Sequence, residues 1–168
     1  TNKVEKAMMT EAQGQVLNIS KADYGTPGVV ERMKDVVQLC ENALKVNNRN
    51  YVPNAIKGRA YLNMGDSANA LKAYRRADEV FFHSAPKSGD LQVGIIYLHI
   101  AELERDLNKD IEEALLMLTK GKKRLDGESQ KIQRFSNLLP AEKAAYDKKY
   151  QEMRKQMELL ENDLNAMK

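Results

Sequence analysis

Apolar residues recur every three or four positions along nearly the whole chain, the period of helices that bury one face. Lys3 to Asn18 carries Val4, Ala7, Met8, Ala12 and Val16 near one such face. The stretch from Ser20 to Gly28 holds two glycines and a proline and predicts a loop. Thr26 followed by Pro27 reads as a helix start, an N-cap oxygen and then a residue whose φ is preset. That helix runs to about Val46 with Val30, Met33, Val36, Val37, Cys40, Ala43 and Leu44 inward, and the Asn47-Asn48-Arg49-Asn50 cluster ends it. Tyr51 to Met64 predicts a third helix, broken at Gly65-Asp66. Asp66 can cap a fourth helix to about Phe82. His83 to Gly89 reads as a loop.

Leu91 to about Leu107 is apolar on several sides, with Leu91, Val93, Ile95, Ile96, Leu98, Ile100 and Leu103, as in a helix covered on more than one face. Asp110 and Glu113 have capping-box spacing at the start of the next helix. Asp126-Gly127 predicts its end, followed by a short amphipathic piece with Ile132, Phe135 and Leu138. Pro140 begins a last long helix. This gives about eight helices and no alternating strand, an all-α chain of helical hairpins in series. The reading divides it into a repeat domain at 1–139 and a capping or docking helix at 140–168.

Composition agrees. Charged residues make up 30% and aromatics 6%, with no Trp, which favours helix over sheet. The 27 basic and 24 acidic residues are mostly interleaved, and their net charge of +3 does not indicate nucleic acid as a partner. One cysteine, Cys40, excludes an intramolecular disulfide framework and fits a reducing, cytoplasmic setting. No apolar run approaches a membrane span, so membrane insertion is not expected. A chain that opens on Thr1 is read as an excised fragment or a processed product.

Residues 51–84 carry Gly58, Tyr61, Gly65, Ala70, Tyr74 and Ala77. At this spacing they resemble the signature of the tetratricopeptide repeat (TPR) family. The small residues let two antiparallel helices approach, and the tyrosines fill the space around the contact. The departures are Asn54 where the family usually has a large aromatic, Lys57 where it has Leu and Phe82 where it has Pro. Irregular counterparts flank this segment. Val36, Cys40, Ala43, Leu44 and Val46 are similar to a preceding second helix. Gly94, Tyr97, Ala114, Leu118 and Gly121 repeat the pattern downstream at longer spacing. The resemblance covers about residues 1–126 and implies a right-handed α-solenoid of about three hairpins.

It also implies a concave groove. Its central-repeat wall would be Val52, Ala55, Ile56, Arg59, Leu62 and Asn63, and its following wall Leu91, Gln92, Ile95, Leu98 and His99. The expected function is therefore non-catalytic: an adaptor, scaffold or co-chaperone-like module holding a peptide or protein segment. The family's chaperone-carboxylate clamp is not expected, because Val52 and Ile56 stand at the corresponding central-repeat positions and Ser88 and Gln92 stand in the next repeat where basic residues are needed. The alternative is a structural or assembly subunit that self-associates, as a homodimer, or docks through its last helix. There Tyr146, Tyr150, Met153, Met157, Leu160, Leu164 and Met167 form an a/d stripe. On this reading the stripe's first half caps residues 114–125 and its second half, around Leu160 and Leu164, projects.

Nothing in the residues points to catalysis, a metal or a cofactor. His99 and Glu102 stand three apart on an apolar helix and read as a polar seam, not a metal pair. His83 sits at a helix end, where a cation suits the dipole. Cys40 occupies a packing position. The glycines match no phosphate-binding loop. The run Lys120-Gly121-Lys122-Lys123-Arg124 reads as dipole-complementing charge.

Overall fold

Three short polar residues set three helix starts. In the computed structural model, which describes residues 2–135 and 137–168, Asn50, Asp66 and Asp110 each accept a first-turn backbone N–H through the side chain, from Val52, Asn69 and Glu113. Each acceptor satisfies a donor that the helix itself leaves orphaned. Thr26 occupies the equivalent position before Pro27 but does not cap; its hydroxyl donates to the Asp23 carbonyl instead. Seven α-helices result among the described residues, with no strand. They are α1 (Asn2–Val16), α2 (Pro27–Val46), α3 (Tyr51–Asn63), α4 (Ser67–Ser84), α5 (Val93–Leu103), α6 (Ile111–Phe135) and α7 (Pro140–Ala166). A single wide helical turn, Glu104–Asn108, follows α5, and Lys109 closes it in the left-handed region at φ 58°.

The chain divides into two compact units, residues 1–84 and 85–168. In the first, α1, α2 and one face of α3 share a core built on Met9, Ala12, Val16, Met33, Val36, Cys40, Ala43, Ile56 and Ala60. The face of α1 is rotated from the expected one: Val4 and Ala7 are exposed, and Met9 takes the inward place beside Ala12 and Val16. In α2 the buried line passes through Val29, while Val30, Val37 and Leu44 are only half-buried. The other face of α3 packs on α4. Gly58 lies against the Tyr74 ring, where a β-carbon would come within 2.7 Å of it. Tyr51 meets Phe81 edge-on at 4.9 Å. Ser84, at the end of α4, accepts the Tyr51 N–H at 2.8 Å, so the hairpin is antiparallel.

In the second unit α5, α6 and α7 pack together. Two glycines make the seat: a β-carbon on Gly94 would strike Met153, and one on Gly121 would strike Tyr97. Met157 reaches both glycines and is fully buried. The 140–168 segment thus supplies core to this unit. Glu128, itself buried, accepts the Asp90 N–H at 3.1 Å and pairs with Lys131 at 2.7 Å, which ties the 85–92 loop to α6.

The break expected at Asp126-Gly127 is absent: α6 runs through it to Phe135. A glycine inside a helix costs only about 1 kcal/mol. Packing of α7 alongside outweighs that, with Tyr150 and Arg154 both engaging Asp126. Nothing lies within 4 Å of a β-carbon built on Gly127. Gly127→Ala is therefore expected to raise stability by about 0.5–1 kcal/mol, read as a higher urea midpoint at unchanged slope.

Candidate functional site

The face of α3 that the sequence assigns to a groove is largely covered. Ile56 is buried and Val52 packs against the core shared with α1 and α2. Asn63 has no exposed surface; its Nδ2 donates to the Val16 carbonyl at 3.1 Å and lies 3.4 Å from the Met33 sulfur. Instead of anchoring a ligand, this amide satisfies a carbonyl at the end of α1 that the helix cannot pair for itself. The Arg59 guanidinium lies 6.0 Å from the Tyr24 ring centre, and its Nε is buried. Ala55 and Leu62 are half-buried. The apolar stripe of α3 has the same spacing whether it faces a ligand or a neighbouring helix, so periodicity could not separate the two. Asn63→Ala would leave the Val16 carbonyl unpaired in the core and should destabilise the fold by about 1–3 kcal/mol. Urea unfolding measures this; a wild-type midpoint would show that the amide bond is not needed.

The other expected wall belongs to the second unit. Leu91 and Leu98 are buried there, and Gln92, Ile95 and His99 half-buried. His99 Nδ1 stands 3.8 Å from a Glu102 carboxylate oxygen, a contact that is an ion pair only with the imidazole protonated. Among the described residues no three His, Cys, Asp or Glu side chains converge as metal ligands. None of the described helices is long and apolar enough to cross a membrane.

The stripe of α7 is reversed from expectation. Met153, Met157, Leu160 and Leu164 are buried, whereas Tyr146 and Tyr150 are half-buried and Met167 is exposed. The antiparallel pairing with α6 explains it: Lys122 meets Glu161 at 2.7 Å, while Asp126 meets Tyr150 and Arg154. The later half of α7 thus lies along the middle of α6 and the earlier half along its extension past Gly127. Burial, with the Asp126 hydrogen bond second, pushes the Tyr150 phenol up to about 12. The second half of the stripe is spent within the chain and does not project.

A different site emerges in the first unit. A cleft of about 620 Å³ opens between α2, α3 and α4, lined by Glu41, Asn54, Lys57, Tyr61, Asn69, Lys72, Ala73, Arg75, Arg76 and Glu79. Its depth follows from side-chain size. Asn54 is short, itself buried, and held in place by donating to the Asn50 carbonyl at 3.0 Å. Ala73 keeps the α4 side of the cleft shallow in bulk. Lys57 pairs with Glu41 at 2.8 Å. Arg76 pairs with Glu79 at 3.1 Å and reaches the Asn48 carbonyl at 3.5 Å. Four cations thus meet two carboxylates. The Arg76–Glu79 pair, exposed on both sides, is worth at most about 1 kcal/mol, so an incoming group can replace either of its partners, whereas the Lys57 ammonium is mostly covered. Cys40, close enough to feel Lys57 and Glu41, is buried; burial pushes its thiol up to about 12, so it stays protonated and inert at neutral pH.

Two of the lining residues, Asn54 and Lys57, are among the three departures from the resembled repeat signature noted in the sequence; the third, Phe82, does not line the cleft. That was the available signal: polar residues at positions normally filled by packing. No family model, no curated protein and no solved structure matches this chain.

Proposed function

We propose that this chain is a non-catalytic protein-interaction module of tetratricopeptide type, and that the cleft between α2, α3 and α4 is where it holds a segment of another protein. The cleft carries the reading. Its volume falls in the range of ordinary ligand sites, about 300–1,000 Å³. Its walls offer ion pairs, amides and one phenol, which suit recognition of a polar chain and supply no nucleophile with a neighbouring base. The repeat assignment is supported by the antiparallel α3–α4 hairpin with Gly58 seated on the Tyr74 ring. It is further supported by burial of Ala70 and Ala77 at the remaining small positions. Self-association through α7 is not favoured, since its central apolar residues are already buried within the chain.

Site-specific photo-crosslinking in cells tests the assignment. A crosslinking residue at Lys72, inside the cleft, should capture a discrete protein partner. The same residue at exposed Lys155 on α7 should not. Capture from Lys155 alone would move the interface to the second unit.

A further inference from the structure

The cleft's charge and spacing narrow its ligand. We infer that the segment it takes is an extended acidic peptide, with carboxylates at alternate positions; this rests on the cleft being the protein-binding seat. Lys72, Arg75 and Arg76 project from successive turns of α4, and Lys57 from α3 completes the cationic lining. Residues three or four apart on a helix stand about 5–6 Å apart at their β-carbons. Alternate residues of an extended chain lie about 6.6–6.8 Å apart and point to the same side. An acidic residue at every second position therefore keeps step with Lys72 and Arg76.

The remaining groups select a peptide over a compact polyanion. Glu41 and Glu79 stand in the same cleft, at 2.8 and 3.1 Å from their cations. They oppose a dense cluster of negative charge such as a polyphosphate. A peptide brings its charges singly, separated by backbone amides. A carboxylate can take over Arg76 while the displaced Glu79, 63% exposed, turns to solvent, and can approach the more covered Lys57 from the side of Glu41. The exposed Asn69 amide and the Tyr61 phenol line the same cleft, where the bound chain's own N–H and C=O groups need partners.

Fluorescence anisotropy of the full chain with a labelled twelve-residue peptide alternating Glu and Gly tests this. The acidic peptide should bind, and its Gln-Gly counterpart should bind at least about tenfold more weakly, a difference of about 1.4 kcal/mol. Lys72→Glu, on an exposed position that leaves the core untouched, should weaken the acidic peptide about tenfold or more. Lys155→Glu, the same charge change on α7, should have little effect. Glu79→Gln should tighten binding, and all these differences should shrink as salt is raised. Circular dichroism confirms that each variant is folded.

Failure to bind the acidic peptide overturns the inference. So does equal binding of the Gln-Gly peptide; if Tyr61→Ala then abolishes that binding, the cleft stands and only the ligand class falls. Equal weakening by Lys72→Glu and Lys155→Glu would mean general charge attraction, and the cleft itself would fall. Displacement of the peptide by inositol hexakisphosphate at far lower concentration than by unlabelled peptide would make the ligand a phosphate polyanion instead.

Discussion

Removal of residues 156–168 should unfold the second unit. The deletion takes away Met157, Leu160 and Leu164, of which Met157 and Leu164 have no exposed surface and Leu160 has 8%. Truncating one such side chain to alanine usually costs about 2–5 kcal/mol. Three together equal the whole stability of an ordinary domain, about 5–15 kcal/mol. The glycine seats at 94 and 121 would be stripped of Met157, exposing α5, the most apolar helix of the chain. Limited proteolysis should then degrade the chain beyond residue 85 while a fragment ending near Ser84 persists, because the first unit has its own core. The truncated chain should also bind a hydrophobic dye. A cooperative melt of the second unit at its original temperature would show that α7 is dispensable to it.

Gly121→Ala should lower the stability of the second unit strongly without unfolding it, despite adding a single methyl. The new carbon would fall well inside contact distance of Tyr97 Cβ and 2.7 Å from its Cγ. Tyr97 is fully buried and these atoms adjoin its backbone, so no rotamer change removes the clash. Relief requires α5 and α6 to separate. Overpacking of this kind costs about 1–3 kcal/mol and here should reach the upper end, even after the gain of about 1 kcal/mol from replacing a helical glycine. A unit of this size loses about 4–8 °C of melting temperature per kcal/mol, so a fall of about 10 °C or more is expected. Gly94→Ala should cost less, since its clash is with the Met153 side chain, which can bend away. The order of the two, measured by calorimetry, tests the geometry; equal melting temperatures for Gly121→Ala and wild type would refute the close contact.

Much of the helical layout was legible because local chemistry decides it. Asp66 and Asp110 cap where they were expected to, and the Gly65 turn separates α3 from α4. The errors arise where tertiary packing overrides a local signal. Gly127 reads as a stop, but α7 lying alongside keeps α6 helical. Asn63 reads as a polar anchor in an apolar groove, yet a buried amide that serves a neighbouring helix presents the same pattern. The a/d stripe of α7 predicts a packed face correctly, but periodicity carries no information about which part of a helix finds a partner. The cleft was the hardest feature to read, since a cavity is defined by side chains that are absent, and Asn54 shows this only against an expectation of bulk.

The way α7 closes the second unit also sets an order of assembly on the ribosome. The first unit is complete once Ser84 has emerged, whereas the second lacks its final buried side chain until Leu164 has been made, about 80 residues later. At about 5–20 residues per second, that is an interval of roughly 4–16 s. During it α5 and the glycine seats are without the methionines that cover them. A nascent chain stalled short of residue 153 should therefore carry a folded first unit and an unfinished, adhesive second one, and should bind chaperones more than the full-length chain does.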